Sequence, residues 1–141
     1  MNYEDRITVT EEQVTASMQK AIAEEGDGFI YPRAHSNCVY MYDGKPDCLV
    51  ARVLVDLGLS IHMLHEHEGT TCSVPINMYF VMDDRVRRAL NRAQRIQDKG
   101  KTWGEAFVEY KDLVANPTHA NEFDDDSWPP NMTFIAEPET D

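Results

Sequence analysis

The stretch NCVYMYDGKPDCLV, residues 37–50, decides how the first half of the chain folds. Val39 to Tyr42 is β-branched and aromatic, and Asp43-Gly44 is a tight-hairpin signal because both positions tolerate positive φ. A two-residue turn there pairs residues whose numbers sum to 87, so Cys48 opposes Val39 and Cys38 opposes Leu49. Side chains alternate across a strand, which sends the two cysteines to opposite faces and argues against a disulfide. Pro46 weakens the return strand, since it has no N–H. Asp47 is positioned to cap the run CLVARVLVDLG, in which Leu49, Val50, Val53, Leu54 and Leu57 share a face and Gly58 closes. The stretch therefore reads as strand, turn and buried helix, with both cysteines as small core residues.

Working outward, Thr10 and Gln13 form a capping box for a helix carrying Val14, Met18, Ala21 and Ile22 on one face and ending at Gly26. Phe29 to Tyr31 reads as a short extended piece stopped by Pro32. Ser60 caps IHMLHEHEG, and Ser73 with Pro75 starts another segment leading into INMYFVM. Asp83-Asp84 opens the longest helix, with Val86, Ala89, Leu90, Ala93 and Ile96 as its apolar stripe and Gly100 as its stop. Thr102 and Glu105 make a second capping box, and Trp103, Ala106, Phe107, Tyr110 and Val114 line the inner face up to Asn116-Pro117. So short a connection makes these two helices an αα-hairpin.

The fold class is thus mainly helical α+β: a small hairpin packed on about five helices, a C-terminal αα-hairpin and an extended acidic arm. Residues 1–116 form one globular domain and 117–141 the arm. A chain of 141 residues, 42% apolar and 27% charged, buries a core without staples. The first residues lack the basic start and apolar run of a signal peptide, and three cysteines suit a reducing, cytoplasmic setting.

Two segments carry a resemblance. CVYMYDGKPDCLVARVLVDLG together with RAQRIQDKGKTWGEAF resembles a family of small uncharacterised proteins from actinobacteria and their phages. The shared features are the Cys-flanked Asp-Gly-x-Pro turn and the Gln-Asp-x-Gly-x-x-Trp-Gly-x-Ala segment. The resemblance spans roughly residues 9–115. It implies a context, a cytoplasmic phage-type accessory factor, and no particular activity.

Charge supplies the candidate functional surfaces. The net charge is −12, which repels polyphosphate. Yet residues 85–101 hold seven of the 13 Lys and Arg residues, whereas 117–141 hold seven acids and no Lys or Arg. At 100° per residue, Arg85, Arg88, Arg92, Arg95 and Lys99 fall within one sector beside the apolar stripe. This stripe reads as a contact surface for phosphates or an acidic partner, or as a solvated face whose stems cover apolar atoms. Nucleic-acid binding is disfavoured, because Glu105, Glu109 and Asp112 on the next helix would meet phosphates. In the arm, Phe123, Trp128 and Phe134 among acids read as partner anchors, or as a segment that docks on the stripe in cis or in a homo-oligomer.

His62, His65, His67 and Cys72, with Cys38 and Cys48, form a looser candidate for a metal site, although the spacing matches no finger or metalloprotease pattern. A Cys72 nucleophile with His67 as base is a further composition-level reading that lacks an orienting group. No catalytic residue, metal or cofactor is assigned. The reading is a non-enzymatic intracellular binding protein engaging a host protein or itself, with metal binding and nucleic-acid binding as alternatives and no membrane segment.

Overall fold

The computed structural model describes residues 5–32 and 40–117. Cys38, Val39 and residues 118–141 of the acidic arm, with Phe123, Trp128 and Phe134, lie outside the described residues. The elements run β1 (Ile7–Thr8), α1 (Glu11–Glu25), β2 (Met41–Tyr42), β3 (Lys45–Pro46), α2 (Leu49–Asp56), α3 (Ile61–His65), α4 (Ser73–Tyr79), β4 (Phe80–Val81), α5 (Asp84–Asp98) and α6 (Trp103–Ala115). The architecture is mainly helical α+β, as the patterning predicts.

The centre is α2. Leu49, Val50, Ala51, Val53 and Leu54 have no solvent exposure. At 100° per residue they cover an arc of about 200°, too wide for a single neighbour. Helix α1 packs on one flank and α5 on another, and each buried Leu or Val contributes roughly 1.5–3 kcal/mol of transfer free energy. The cap of α2 differs from expectation. Cys48, not Asp47, is the N-cap, and its Sγ accepts the Ala51 N–H at 3.4 Å. The chain comes off β3 with Asp47 still in the ladder, donating its N–H to the Tyr40 carbonyl at 2.7 Å, which moves the helix start one residue on.

Both expected capping boxes form, at Thr10/Gln13 and at Thr102/Glu105. The hairpin register is Met41 with Pro46 and Tyr42 with Lys45, so partners sum to 87 as the turn chemistry requires. Cys48 and Cys72 are buried thiols, neither of them in a disulfide. The sequence gives no warning of the second sheet, in which β1 and β4 pair in parallel, Ile7 with Phe80 and Thr8 with Val81. Helix α3 is shorter than its segment suggests. It ends at His65, and turns carry the chain on to Gly69.

A buried polar node joins four segments. Gln97, fully buried near the end of α5, accepts two hydrogen bonds on Oε1: from the Leu49 N–H at 2.8 Å and from the Trp103 indole Nε1–H at 3.0 Å. Trp103 packs its edge on Phe29, with ring centroids 4.6 Å apart, and its backbone N–H donates to the Phe29 carbonyl at 2.9 Å. The next residue donates to the Asp27 carbonyl, also at 2.9 Å. It must be glycine, because a Cβ on Gly104 would lie 2.9 Å from that same oxygen. The Gln-Asp-x-Gly-x-x-Trp-Gly-x-Ala segment is thereby accounted for as architecture. It fastens α2, α5, α6 and the loop after α1 at one point.

Candidate binding surface

The hairpin is held rigidly from below and exposed above. Asp43 and Gly44 both have positive φ, 55° and 77°, the conformation of a type I′ turn. Glu68, in the turns after α3, reaches the β2 backbone with both carboxylate oxygens: Tyr40 N–H donates to Oε1 at 2.5 Å and Met41 N–H to Oε2 at 3.1 Å. The Tyr40 hydroxyl donates to the Thr70 carbonyl. Tyr40 and Met41 are buried, while Tyr42 is 57% exposed. On α3, capped by Ser60, Leu64 faces inward and Ile61 is 41% exposed.

Three depressions surround this hairpin and connect through shared residues. One, of about 480 Å³, lies between the turn and α3, with Met41 and Ile61 as apolar lining and His62, His65 and Glu68 at its edge. A second, of about 470 Å³, runs along the other side of the turn past Tyr42, Lys45 and Asp47, and shares Asp43 with the first. A third, of about 190 Å³, lies between α1 and α2 and shares Pro46 and Arg52 with the second. Together they make a belt across α3, the hairpin and the α1–α2 groove. Arg52 is anchored in this belt by Glu24 and Glu25, with its guanidinium 5.3 Å from the Trp103 ring centroid. Lys20 pairs with Asp56 at 2.9 Å; this contact, with help from Ser17, holds the Asp56 carboxyl below its usual pKa.

The arginine stripe is not the continuous solvated face that helical projection predicts. Arg92 and Arg95 are buried, at 1% and 7% exposure. Arg92 reaches Glu109 of α6 at 3.3 Å, because α6 lies over the flank of α5 that carries it. Arg85 is held by Asp83 at 3.1 Å, which keeps the Asp83 carboxyl below its usual pKa, and Arg88 pairs with Asp84 at 2.8 Å. Lys99 is exposed at the C-cap of α5. The stripe thus divides into two paired surface arginines, two buried ones and a terminal lysine, and three of the five, Arg85, Arg88 and Arg92, meet acids of their own domain.

The His/Cys cluster also disperses. His62 lies 3.2 Å from Glu66, and His67 Nε2 is 2.8 Å from the Tyr79 hydroxyl, with the two rings edge to face. Cys72 is buried, its Sγ donating to Asn91 Oδ1 at 3.5 Å. Among the described residues no three His, Cys, Asp or Glu side chains converge as a metal-ligand set.

Burial pushes the Cys48 thiol up to about 12 from its ordinary 9.0. A thiol so placed is a poor nucleophile, because the thiolate is the reactive form. The shift also sets a pH dependence. The folded state keeps the Cys48 proton that the unfolded chain loses above pH about 9, so this contribution is complete below pH 9 and is lost as pH rises towards 12, at up to about 1.4 kcal/mol per pH unit. Melting temperatures measured between pH 8 and 10.5 should fall more steeply for the natural protein than for Cys48→Ser, which keeps a capping acceptor. Parallel curves would remove Cys48 as the cause.

The surface that patterning missed is the belt. Its sequence signal is slight: one outward tyrosine beside the turn, and one isoleucine in the first turn of an otherwise polar helix. Fold and surface together define a small, mainly helical α+β domain with a rigid exposed hairpin. Comparison of the chain with protein-family models, with curated proteins and with solved structures finds no match. Among the described residues no helix is long and apolar enough to cross a membrane.

Proposed function

We propose that the protein is a non-enzymatic binding protein that engages a partner protein through the hairpin belt. The observation that carries this reading is the exposure of Tyr42 and Ile61 on either side of a turn whose backbone is pinned by Glu68 and Tyr40. An exposed aromatic on a preorganised strand loses little entropy on docking, which is how binding anchors work. The chemistry-bearing groups favour the same reading, since Cys48, His67, Arg92 and Gln97 are engaged in holding the fold. The resemblance at residues 38–58 and 92–107 adds the context of a phage-type accessory factor acting on a host protein in the cytoplasm.

The test is affinity capture from a bacterial lysate with the natural protein, with a Tyr42→Ala/Ile61→Ser double variant and with Arg88→Glu. Both altered surfaces are exposed, so the fold should survive and circular dichroism should match the parent. A partner retained by the natural protein and by Arg88→Glu but lost from the double variant is the expected result. Equal retention by all three would move the contact surface off the hairpin, and loss only with Arg88→Glu would return it to α5.

A further inference from the structure

The end of α6 fixes where the acidic arm begins. The Val114 carbonyl accepts from Arg85 Nη1 at 3.4 Å, so the chain beyond Pro117 sets out from beside the first turn of α5. Around that turn the charges are unevenly matched. Arg85 has two carboxylates, Asp83 at 3.1 Å and Glu11 at 3.7 Å, whereas Arg87 and Arg88 share the single carboxylate of Asp84. Arg87 also donates to Asn77 Oδ1 at 3.2 Å, which joins these arginines to α4. Pro75, Ile76 and Tyr79 of α4 face the core, leaving Val74, Asn77 and Met78 on its outer arc, with Val74 36% and Met78 43% exposed. We infer that the chain's own acidic arm folds back on this corner, with Asp124, Asp125 and Asp126 against Arg87 and Arg88, and Trp128 on Val74 and Met78. The corner is separate from the hairpin, so it stands or falls apart from the docking reading above.

Three arguments favour this occupant. The first is order and reach. Around the axis of α5 the sequence is Arg85, Arg88, Arg87 and then Asn77 of α4; along the arm the acids come first and Trp128 two residues later. Trp128 is eleven residues beyond Pro117, a reach of about 36 Å at full extension, ample for a path around a helix about 10 Å across. The second is charge. Residues 118–141 carry seven acids and no Lys or Arg, and they meet two guanidiniums that share one carboxylate. The depression beside Ile61 is a worse seat, since Asp43 and Glu68 line it together with no Lys or Arg. The third is the apolar contact. Exposed ion pairs hold a segment weakly, and an indole on the Met78 thioether and Val74 adds apolar burial and a sulfur–aromatic contact.

The test is nuclear magnetic resonance of the full chain carrying 5-fluorotryptophan and 13C-methyl methionine, with Trp128→Phe assigning the two fluorine signals. Met78→Ser and Arg88→Glu, both at exposed positions, should move the Trp128 fluorine towards its position in urea, the second through about a threefold loss of the docked population. Trp128→Ala should shift the Met78 methyl and leave the Met41 methyl at the hairpin unmoved. That variant alters no residue of the folded domain, so it decides the matter even where Met78→Ser loses the circular dichroism of the parent. A Trp128 fluorine already at its urea position in the natural protein, or a Met78 methyl that ignores Trp128→Ala, would overturn the fold-back. A response at Met41 in place of Met78 would put the arm on the hairpin and overturn it too. Shifts that depend on protein concentration would seat the arm on a second copy, with the same consequence.

Discussion

Replacing Gln97 with leucine is expected to destabilise the protein by about 2–6 kcal/mol, although the substitution is close in volume and more apolar. Leucine leaves two donors without their acceptor, the Leu49 N–H at the start of α2 and the Trp103 indole N–H. Both are in the interior, where an unsatisfied donor costs roughly 1–3 kcal/mol. The comparison with Gln97→Glu is informative. Glutamate keeps an oxygen for both donors, but it buries a charge beside Asp98, whose Oδ1 now accepts from Gln97 Nε2 at 3.0 Å. Its cost should therefore rise with pH as that carboxylate ionises, whereas the cost of leucine should not. Urea denaturation of the three proteins at two pH values measures both effects. A leucine variant within about 1 kcal/mol of the natural protein would mean that α2 and the indole do not depend on Gln97.

How much of this was legible beforehand depends on the range of each interaction. Capping boxes, the Asp43-Gly44 turn and the apolar stripes are local, encoded within four residues, and they were readable in place. The β1–β4 pair was not. It consists of two residues on each side, separated by more than seventy in sequence, and two residues are too few to display alternation. The N-cap of α2 falls one residue beyond the expected Asp47, because the ladder bond from the Asp47 N–H keeps that residue in the hairpin, a constraint set by a partner seven residues away and not by local capping preference.

The stripe on α5 shows a different limit. Helical projection places Arg85, Arg88, Arg92, Arg95 and Lys99 on one side correctly, but it cannot say where a neighbouring helix ends its cover. With α6 crossing that flank, Arg92 becomes an interior residue whose charge is met by Glu109, and the same five side chains fall into different environments. The belt was missed for the opposite reason. Its residues come from α1, the hairpin, α2, α3 and the turns after α3, so no single run of sequence displays them as one face. An exposed Tyr42 is visible as a candidate only once Tyr40 and Met41 are seen to be buried.

Trp103→Ala should cost about 3–5 kcal/mol, the range for removing a fully buried aromatic. Three features place it at the upper end. The indole is wholly enclosed, packed against Phe29 and beneath the Arg52 guanidinium. It sits on the first turn of α6, directly before Gly104, whose tight contact with Asp27 keeps the backbone from moving inward to fill the space. Its N–H is also spent on Gln97. Trp103→Phe separates these contributions, since it retains most of the volume and removes only the hydrogen bond. It should cost about 2 kcal/mol less than alanine. Combining either variant with Gln97→Leu gives a double-mutant cycle, and because the two side chains share a hydrogen bond their effects should fall short of additive by about 0.5–3 kcal/mol. Strict additivity would show that Trp103 is held by packing alone. An alanine variant melting with the parent would place the indole outside the core, and the junction of α2, α5 and α6 would need another explanation.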